Sequence, residues 1–540
     1  MSSFVSASKR WVYILLTRTT ILVLLFTQTS RIISAQPLQI SISPPSTCTN
    51  PSGLILGKVI SYDKEKYLVL AFNNNKKPAL CYYSKDLNLL SNHKLSFKNK
   101  ESLDHKILNV YNLEGKIIGI TSCFNVALKS YQINAWQFSE KGEIQKGPVE
   151  LLRTATNQYL IRNDLQNQRI YVFNTAKNLY GQTLSGYQVQ IYDSELSLEL
   201  RKTFFVPVNN QSISIKDVIV PNNETSWLSI KLEDIPKPNS KIGLVKNYSS
   251  ILLKQNFKNN DNQAINLALE EVPFIHNIGL FFSEDSKSLV TISANSSTSS
   301  SGISKIVATK FPFSDTVASY AQSIDIPTTF QKSSENNNRK FVDTNSPKRK
   351  LKGVMDLNFK FHEEENHKFI ISASIERSNI ELGTSPLNDP LNIDRFYQTW
   401  YLQNALVINA SWKQPEVSIY EILIDQKFRQ QSGVPGAYGI NLFPHHEYNF
   451  LLYNDLSSNL NSKFLDQKNL LQYTELNKKI AQANLLYIDT TGRKINHIIF
   501  SNPKDQALIG PTTKFVQSPY CHVYLACDSR NNLRLVRITK

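Results

Sequence analysis

The chain has 540 residues, 41% of them apolar, with 60 Lys and Arg against 44 Asp and Glu and a formal net charge of +16. That apolar share suffices for a real core and excludes a disordered chain. The length exceeds one ordinary domain and points to several domains or one large repeat architecture. The positive balance suits an anionic glycan, an envelope polymer or extracellular nucleic acid. The plainer reading is solvation by lysine.

At the start of the chain, Lys9 and Arg10 precede an apolar stretch over 11–26, and a polar segment follows, ending in Ile33-Ser34-Ala35. This reads as a secretory signal peptide over 1–35, leaving Gln36 first after cleavage. Arg18 interrupts the apolar stretch. A spanning helix needs roughly 20 apolar residues, and a central arginine costs about 2.5–3.5 kcal/mol. A cleaved signal is therefore expected, with an uncleaved membrane anchor as the alternative. Cleavage removes four cations and no acid, lowering the charge from +16 to about +12. The expected location is secreted, periplasmic or cell-surface, with no membrane span after cleavage. Cys48 follows Pro44-Pro45-Ser46-Thr47, which lacks the character of a lipidation box.

Beyond residue 36 the pattern is strand after strand. Tyr187, Val189 and Ile191 alternate with Gln188 and Gln190; after Asp193-Ser194-Glu195, Leu196, Leu198 and Leu200 alternate with polar residues. This predicts an antiparallel hairpin with one buried face. The runs at 67–72, 117–120, 369–371, 450–452 and 485–488 are apolar throughout, as suits strands covered on both faces. Strands group into modules at 53–97, 106–151, 159–206, 212–272, 274–326, 351–425 and 438–500, with a shorter remainder at 505–540. Four strands in each of seven or eight modules is the arithmetic of an all-β, β-propeller fold. The alternating segment 36–43 would supply the missing strand of the last module and close 36–540 into a single ring. The modules show no shared motif, and tandem β-sandwich domains are the alternative. A weak helical pattern covers 466–482, and 296–301 and 331–347 read as Ser/Asn-rich loops. The cluster Arg339, Lys340, Lys348, Arg349, Lys350 and Lys352 falls largely in the latter. Only Phe341 lies near it, and nucleic-acid grooves interleave cations with stacking rings, so no nucleic-acid partner is expected.

The five cysteines are Cys48, Cys81, Cys123, Cys521 and Cys527. The number is odd, so at least one stays free or pairs outside the chain. On one strand, Cys521 and Cys527 would stand about 20 Å apart, beyond disulfide reach; the remaining pairings stay open. No pair has metal-ligand spacing, and neither metal nor cofactor is expected.

The catalytic signatures are weak. His362-Glu363-Glu364-Glu365-Asn366-His367 misses the i, i+4 histidine spacing of a helical zinc motif and reads as a hairpin tip. His445-His446-Glu447 places adjacent histidines on opposite strand faces. Gly433, Gly436 and Gly439 lack the strand, helix and lysine of a phosphate loop. No nucleophile elbow occurs, and no carboxylate pair can be chosen for glycoside hydrolysis. Two features stand higher. Phe396-Tyr397-Gln398-Thr399-Trp400-Tyr401 follows Asn388-Asp389-Pro390 and suits sugar stacking, or a strand entering the core. Tyr453-Asn454-Asp455 ends an apolar strand, where buried polar groups need partners; a turn is the competing reading.

Several local patterns in the last third belong together: Ile375-Glu376, Ala437-Tyr438, Tyr453-Asn454-Asp455 with Asn459-Leu460, and Ile488-Asp489-Thr490-Thr491-Gly492. On these the segment 351–540 resembles uncharacterised secreted β-propeller-like proteins of the Bacteroidota. The chain departs from that pattern at Ile424-Asp425-Gln426-Lys427-Phe428, where Lys and Gln are displaced, and at Ala437 in place of Ser. The resemblance implies export and a propeller-like fold and carries no known activity. A ligand site is therefore expected around Glu376, Trp400, Tyr438, Asn454 and Asp455, with catalytic residues unknown. The functional expectation is a monomeric, non-enzymatic binding protein of the cell envelope, its partner a glycan or an envelope protein. A polysaccharide-active hydrolase or lyase, and a signal-anchored structural component, are the alternatives.

Overall fold

The computed structural model describes residues 39–46, 57–72 except 64, 77–97, 105–125, 130–154, 159–177 except 165, 183–208 except 207, 211–234, 248–298 except 260, 301–334, 354–382 except 365 and 366, 396–430, 439–456 except 446 and 447, 471–472, 481–488, 494–500, 507–509, 515–518, 521–528 and 532–539. Eight sheets, antiparallel except for one short parallel pair in the sixth, follow one another along the chain as blades of a β-propeller. Numbered in chain order, they occupy 58–94, 106–154, 159–205, 211–265, 274–325, 354–430, 440–498 and 507–539. Each of the first five is a plain four-strand meander. The signal segment 1–35 and the basic cluster at 339–352 lie outside the described residues.

Side chains on the two faces of one strand serve two different interfaces, which explains the unbroken apolar runs. In blade 1, Tyr67, Val69 and Ala71 pack with Val523, Leu525 and Leu535 of blade 8. The intervening Leu68 and Leu70 pack with Val110, Ile117 and Trp136 of blade 2. The same split recurs in blade 3, where Ile170 and Val172 face blade 2 and Tyr171 and Phe173 face blade 4. Burial of each such side chain contributes about 1.5–3 kcal/mol, so every blade is held by both its neighbours.

Closure is made by the N-terminal strand Gln39–Ile42. It pairs antiparallel with Leu533–Thr539, Gln39 opposite Thr539 and Ile42 opposite Val536. It thereby becomes the outer strand of blade 8, whose sheet runs Gln39–Ile42, Leu533–Thr539, Cys521–Asp528, Ala507–Ile509, with Phe515–Ser518 also on Cys521–Asp528. A closed ring leaves no blade face uncovered, and only short strand edges remain on the inside and outside of each blade.

Two expectations about local structure are corrected. The weak helical pattern at 466–482 is overturned at Leu471–Gln472, a short strand pairing in parallel with Ser418–Gln430. Among the described residues an α-helix instead occupies Thr328–Ser334, overlapping the first residues of the segment 331–347 that reads from composition as a loop. Pro327 opens it: the Phe330 and Gln331 N–H groups donate to the Pro327 carbonyl at 3.0 Å, and Phe330 is fully buried. Proline is well suited to helix starts, and a seven-residue helix with one apolar anchor has no periodicity to read.

Blades 1 to 3 share a turn geometry between their third and fourth strands, carried by different residues in each. Buried Tyr83, Phe138 and Tyr192 precede Ser84, Ser139 and Asp193. The N–H groups of Leu87, Gly142 and Leu196 return to the carbonyls of those three residues at 2.9, 2.9 and 3.0 Å. The next N–H groups, of Asn88, Glu143 and Ser197, donate to their side-chain oxygens at 3.2, 3.2 and 2.7 Å. Leu87, Gly142 and Leu196 have φ of 66°, 75° and 59°. A leucine in that region costs about 1–2 kcal/mol, comparable to what its own burial returns; Leu87 and Leu196 are both buried. Asp164 with Asn167 and Gln168 repeats the arrangement.

The cysteines sort plainly. Cys81 is disulfide-bonded, and Cys123, Cys521 and Cys527 are free. The last two lie on one strand, Cys521–Asp528.

Candidate functional site

The first strand of each blade lines the central axis, and four of these strands are bulged at the same place. Register slips occur between Val59 and Ser61, Ile107 and Asn109, Ile215 and Asp217, and Ile275 and Asn277. A bulge re-aims the side chain that follows it. The residue after each slip is Ser, Asn, Asp or Asn. Asn109 Oδ1 accepts from the Val110 N–H at 3.0 Å, and Asp217 Oδ1 accepts from the Val218 N–H at 2.9 Å. The recurring sequence is apolar, any, small polar, apolar: Val59-Ile60-Ser61-Tyr62, Ile107-Leu108-Asn109-Val110, Ile215-Lys216-Asp217-Val218 and Ile275-His276-Asn277-Ile278.

Between blades 1, 2 and 3 these strands border an open cavity of about 460 Å³, within the size range of small-ligand sites. Its walls carry Lys58, Tyr62, Asn109, Tyr111, Arg162 and Asn163, with Phe515 of blade 8 at its edge. Lys58 Nζ sits 5.0 Å from the Tyr111 ring centroid, a cation–π distance. The Tyr111 hydroxyl donates to the Ile161 carbonyl at 3.1 Å. Asn112 Nδ2 donates to Ser61 Oγ at 3.2 Å, tying blade 2 to blade 1. Arg162 Nη2 reaches Asp217 Oδ1 of blade 4 at 3.0 Å, and Nη1 donates to the Ile161 carbonyl at 3.1 Å.

Burial sets the electrostatics. It pushes the Lys58 ammonium down to about 8 from its ordinary 10.5 and raises the Tyr111 phenol, which Arg162 partly counteracts. Lys360, on the first strand of blade 6, is likewise lowered by burial, while Glu376 and Asp217 pull it back. Asp217 belongs to blade 4, so its field reaches Lys360 from two blades away. The axis therefore carries Lys58, Arg162 and Lys360 together with one Arg-paired carboxylate. Rings, amides and cations around a cavity of this size are equipped to stack on and hydrogen-bond a polar ligand.

The residues expected to form a site in the last third lie elsewhere. Glu376 is half-buried on the second strand of blade 6, Lys368–Leu382, with Asn358 Nδ2 at 3.4 Å. Trp400 pairs through its backbone with Ser378 and Phe428 on the strand Phe396–Ser411. Its side chain, and all of Tyr438, fall outside the described residues. Asn454 and Asp455 are buried on blade 7, in the strand Tyr448–Leu456. Asn454 Nδ2 donates to the Ile509 carbonyl at 2.7 Å, and the Ile509 N–H donates to Asn454 Oδ1 at 3.0 Å. Gln426 Nε2 donates to the Asn454 carbonyl at 2.8 Å, and Gln426 Oε1 accepts from the Gly439 N–H at 3.0 Å. This buried relay joins blades 6, 7 and 8. Of the histidine-flanked segment 362–367, His362 and Glu363 end the strand Val354–Glu363, pairing with Ile370 and Phe369 of Lys368–Leu382. Its Glu363 holds Lys310 Nζ at 2.6 Å and Trp412 Nε1 at 2.8 Å. No group of three or more metal-ligating side chains occurs among the described residues.

No family model matches this chain, and no curated protein does. Among solved structures it overlaps the post-proline cleaving enzyme from Rickettsia typhi at 11% identity and TM-score 0.37, over 87% of this chain and 57% of that one. It overlaps the α-L-arabinofuranosidase of Fusarium graminearum at 10% identity and TM-score 0.32, over 62% and 92% of the two chains. It overlaps the WD40 domain of SCAP from fission yeast at 10% identity and TM-score 0.27, over 81% and 95%. The chain spans little more than half the length of the Rickettsia enzyme. Likeness at this level assigns neither an activity nor a ligand.

Proposed function

We propose that this propeller is an exported, non-enzymatic binding protein of the cell envelope, and that a glycan is its ligand. The observation that carries the reading is the axial cavity of blades 1 to 3, with Tyr62, Tyr111 and Phe515 beside Asn109 and Asn163. Aromatic faces stack on the apolar faces of sugar rings, and amides both donate to and accept from hydroxyls. Glycoside hydrolysis by the usual route needs two carboxyl groups about 5–9.5 Å apart. The described part of the lining offers cations and amides, groups that serve binding.

A glycan panel probed with the full exported chain tests this. The expected result is saturable binding to at least one saccharide class, weakened at least tenfold, about 1.4 kcal/mol, by Tyr62→Ala with folding intact. A folded protein binding no saccharide, or binding one with Tyr62→Ala at full strength, overturns it. Export is tested separately by N-terminal sequencing, which should read from Gln36.

A further inference from the structure

Resting on the reading that the cavity of blades 1 to 3 takes a saccharide, we infer that this saccharide bears an acidic group, a carboxylate or a sulfate ester, held between Lys58 and Arg162. Lys58 enters from blade 1 and Arg162 from blade 3, so the two cations border the cavity on either side of blade 2. The Tyr111 ring, 5.0 Å from Nζ, supports the Lys58 ammonium in place. Among the described residues no carboxylate comes within ion-pair distance of Lys58. Desolvation without a counter-ion is what drives its ammonium down to about 8. An anion placed in the cavity supplies the missing partner.

Arg162 is only partly engaged. It gives one N–H to Asp217 and one to the Ile161 carbonyl, out of five on a guanidinium. Its planar fork suits a carboxylate or a sulfate. Among the described residues the lining carries two cations and no acid, and Lys360 adds a further cation on the first strand of blade 6. A neutral sugar would use the rings and amides and leave Lys58 without a counter-charge.

The test is calorimetric titration of the full chain with three oligomers of equal length: oligogalacturonate, a sulfated galactose oligomer and neutral oligogalactose. The expected result is at least tenfold tighter binding of one or both acidic oligomers than of the neutral one, and the two acidic arms tell carboxylate from sulfate. Lys58→Gln should cost the acidic ligand at least tenfold and lower the acidic-to-neutral affinity ratio at least fivefold, while Lys58→Arg retains most of the acidic affinity. Equal affinity for acidic and neutral oligomers overturns this inference alone and leaves saccharide binding standing. Binding of none of the three, with none on the wider panel, overturns both. Should Lys58→Gln fail to fold, the acidic-to-neutral ratio of the unaltered protein still decides.

Discussion

Ser43 and Leu535 are 492 residues apart in sequence and exchange two hydrogen bonds, each 2.9 Å long: the Ser43 N–H donates to the Leu535 carbonyl, and the Leu535 N–H donates to Ser43 Oγ. Ser43 thus continues the strand Gln39–Ile42 past its last ladder residue, using its hydroxyl where a backbone carbonyl would otherwise stand. Ser46 Oγ adds a bond to the Leu533 carbonyl at 2.9 Å. The ring is latched where its two ends meet.

Ser43→Ala should therefore leave a buried Leu535 N–H without a partner, which costs about 1–3 kcal/mol. Deleting 36–43 should cost more, since it removes the whole outer strand of blade 8 and exposes the strand Leu533–Thr539 as an edge. Thermal melts of the two variants against the parent check this. A deletion that melts like the parent would mean the ring does not depend on the strand.

Asn454 is expected to behave as architecture. Asn454→Ala removes both bonds to the Ile509 backbone and should lower stability by about 2–6 kcal/mol, two unsatisfied buried groups at about 1–3 kcal/mol each. Asn454→Asp keeps the acceptor, loses the donor and buries a charge against a carbonyl, so it should be at least as damaging. Urea unfolding gives the stabilities; binding measured on the folded fraction should stay at the parent value, because the cavity lies on blades 1 to 3. A folded Asn454→Ala protein with lost binding would move the site to blades 7 and 8.

Blade boundaries were legible in the sequence because strands covered on both faces leave continuous apolar runs, as at Tyr67 to Ala71, and turns interrupt them. The closing strand was legible from the alternation of Leu38, Ile40 and Ile42. The turn motif was not, because its left-handed position holds Leu87, Gly142 and Leu196 in successive blades, and leucine gives no turn signal. The cavity was hidden for a related reason. A bulge shifts alternation by one residue, so Ser61 and Asn109 read as strand noise until their register is known. Tyr453-Asn454-Asp455 puts a polar end on an apolar strand, and that pattern marks a buried relay as readily as a site.

The thiols offer a check on the N-terminal blades. Cys81 is bonded, and Cys123, Cys521 and Cys527 are free; Cys48 is the only other cysteine in the sequence. Thiol titration of the denatured, unreduced protein should count three free groups, and peptide mapping should find Cys81 linked to the peptide carrying Cys48. Such a bond persists in an oxidising compartment, in keeping with export. Five free thiols in protein purified from its native location would argue against both.

Acid sensitivity should have an identifiable component at His276. It is 1% exposed, Nε2 lies 2.7 Å from Ser296 Oγ, and the Phe274 ring meets it edge-on. Burial, with Lys231 adding repulsion, pushes its imidazolium down to about 4 from 6.5. The folded chain therefore holds His276 neutral where the unfolded chain takes up a proton. The stabilisation is complete above pH 6.5, falls away as pH drops toward 4, and changes no further below that. A shift of this size corresponds to on the order of 3 kcal/mol. His276→Gln removes the titration, so the stability difference between the parent and this variant should shrink in the parent's disfavour between pH 6.5 and 4. Parallel urea titrations at several pH values measure that difference directly, and other titrating carboxylates cancel between the two proteins. A difference that stays constant across the window would mean that His276 is protonated as easily in the folded chain as in the unfolded one.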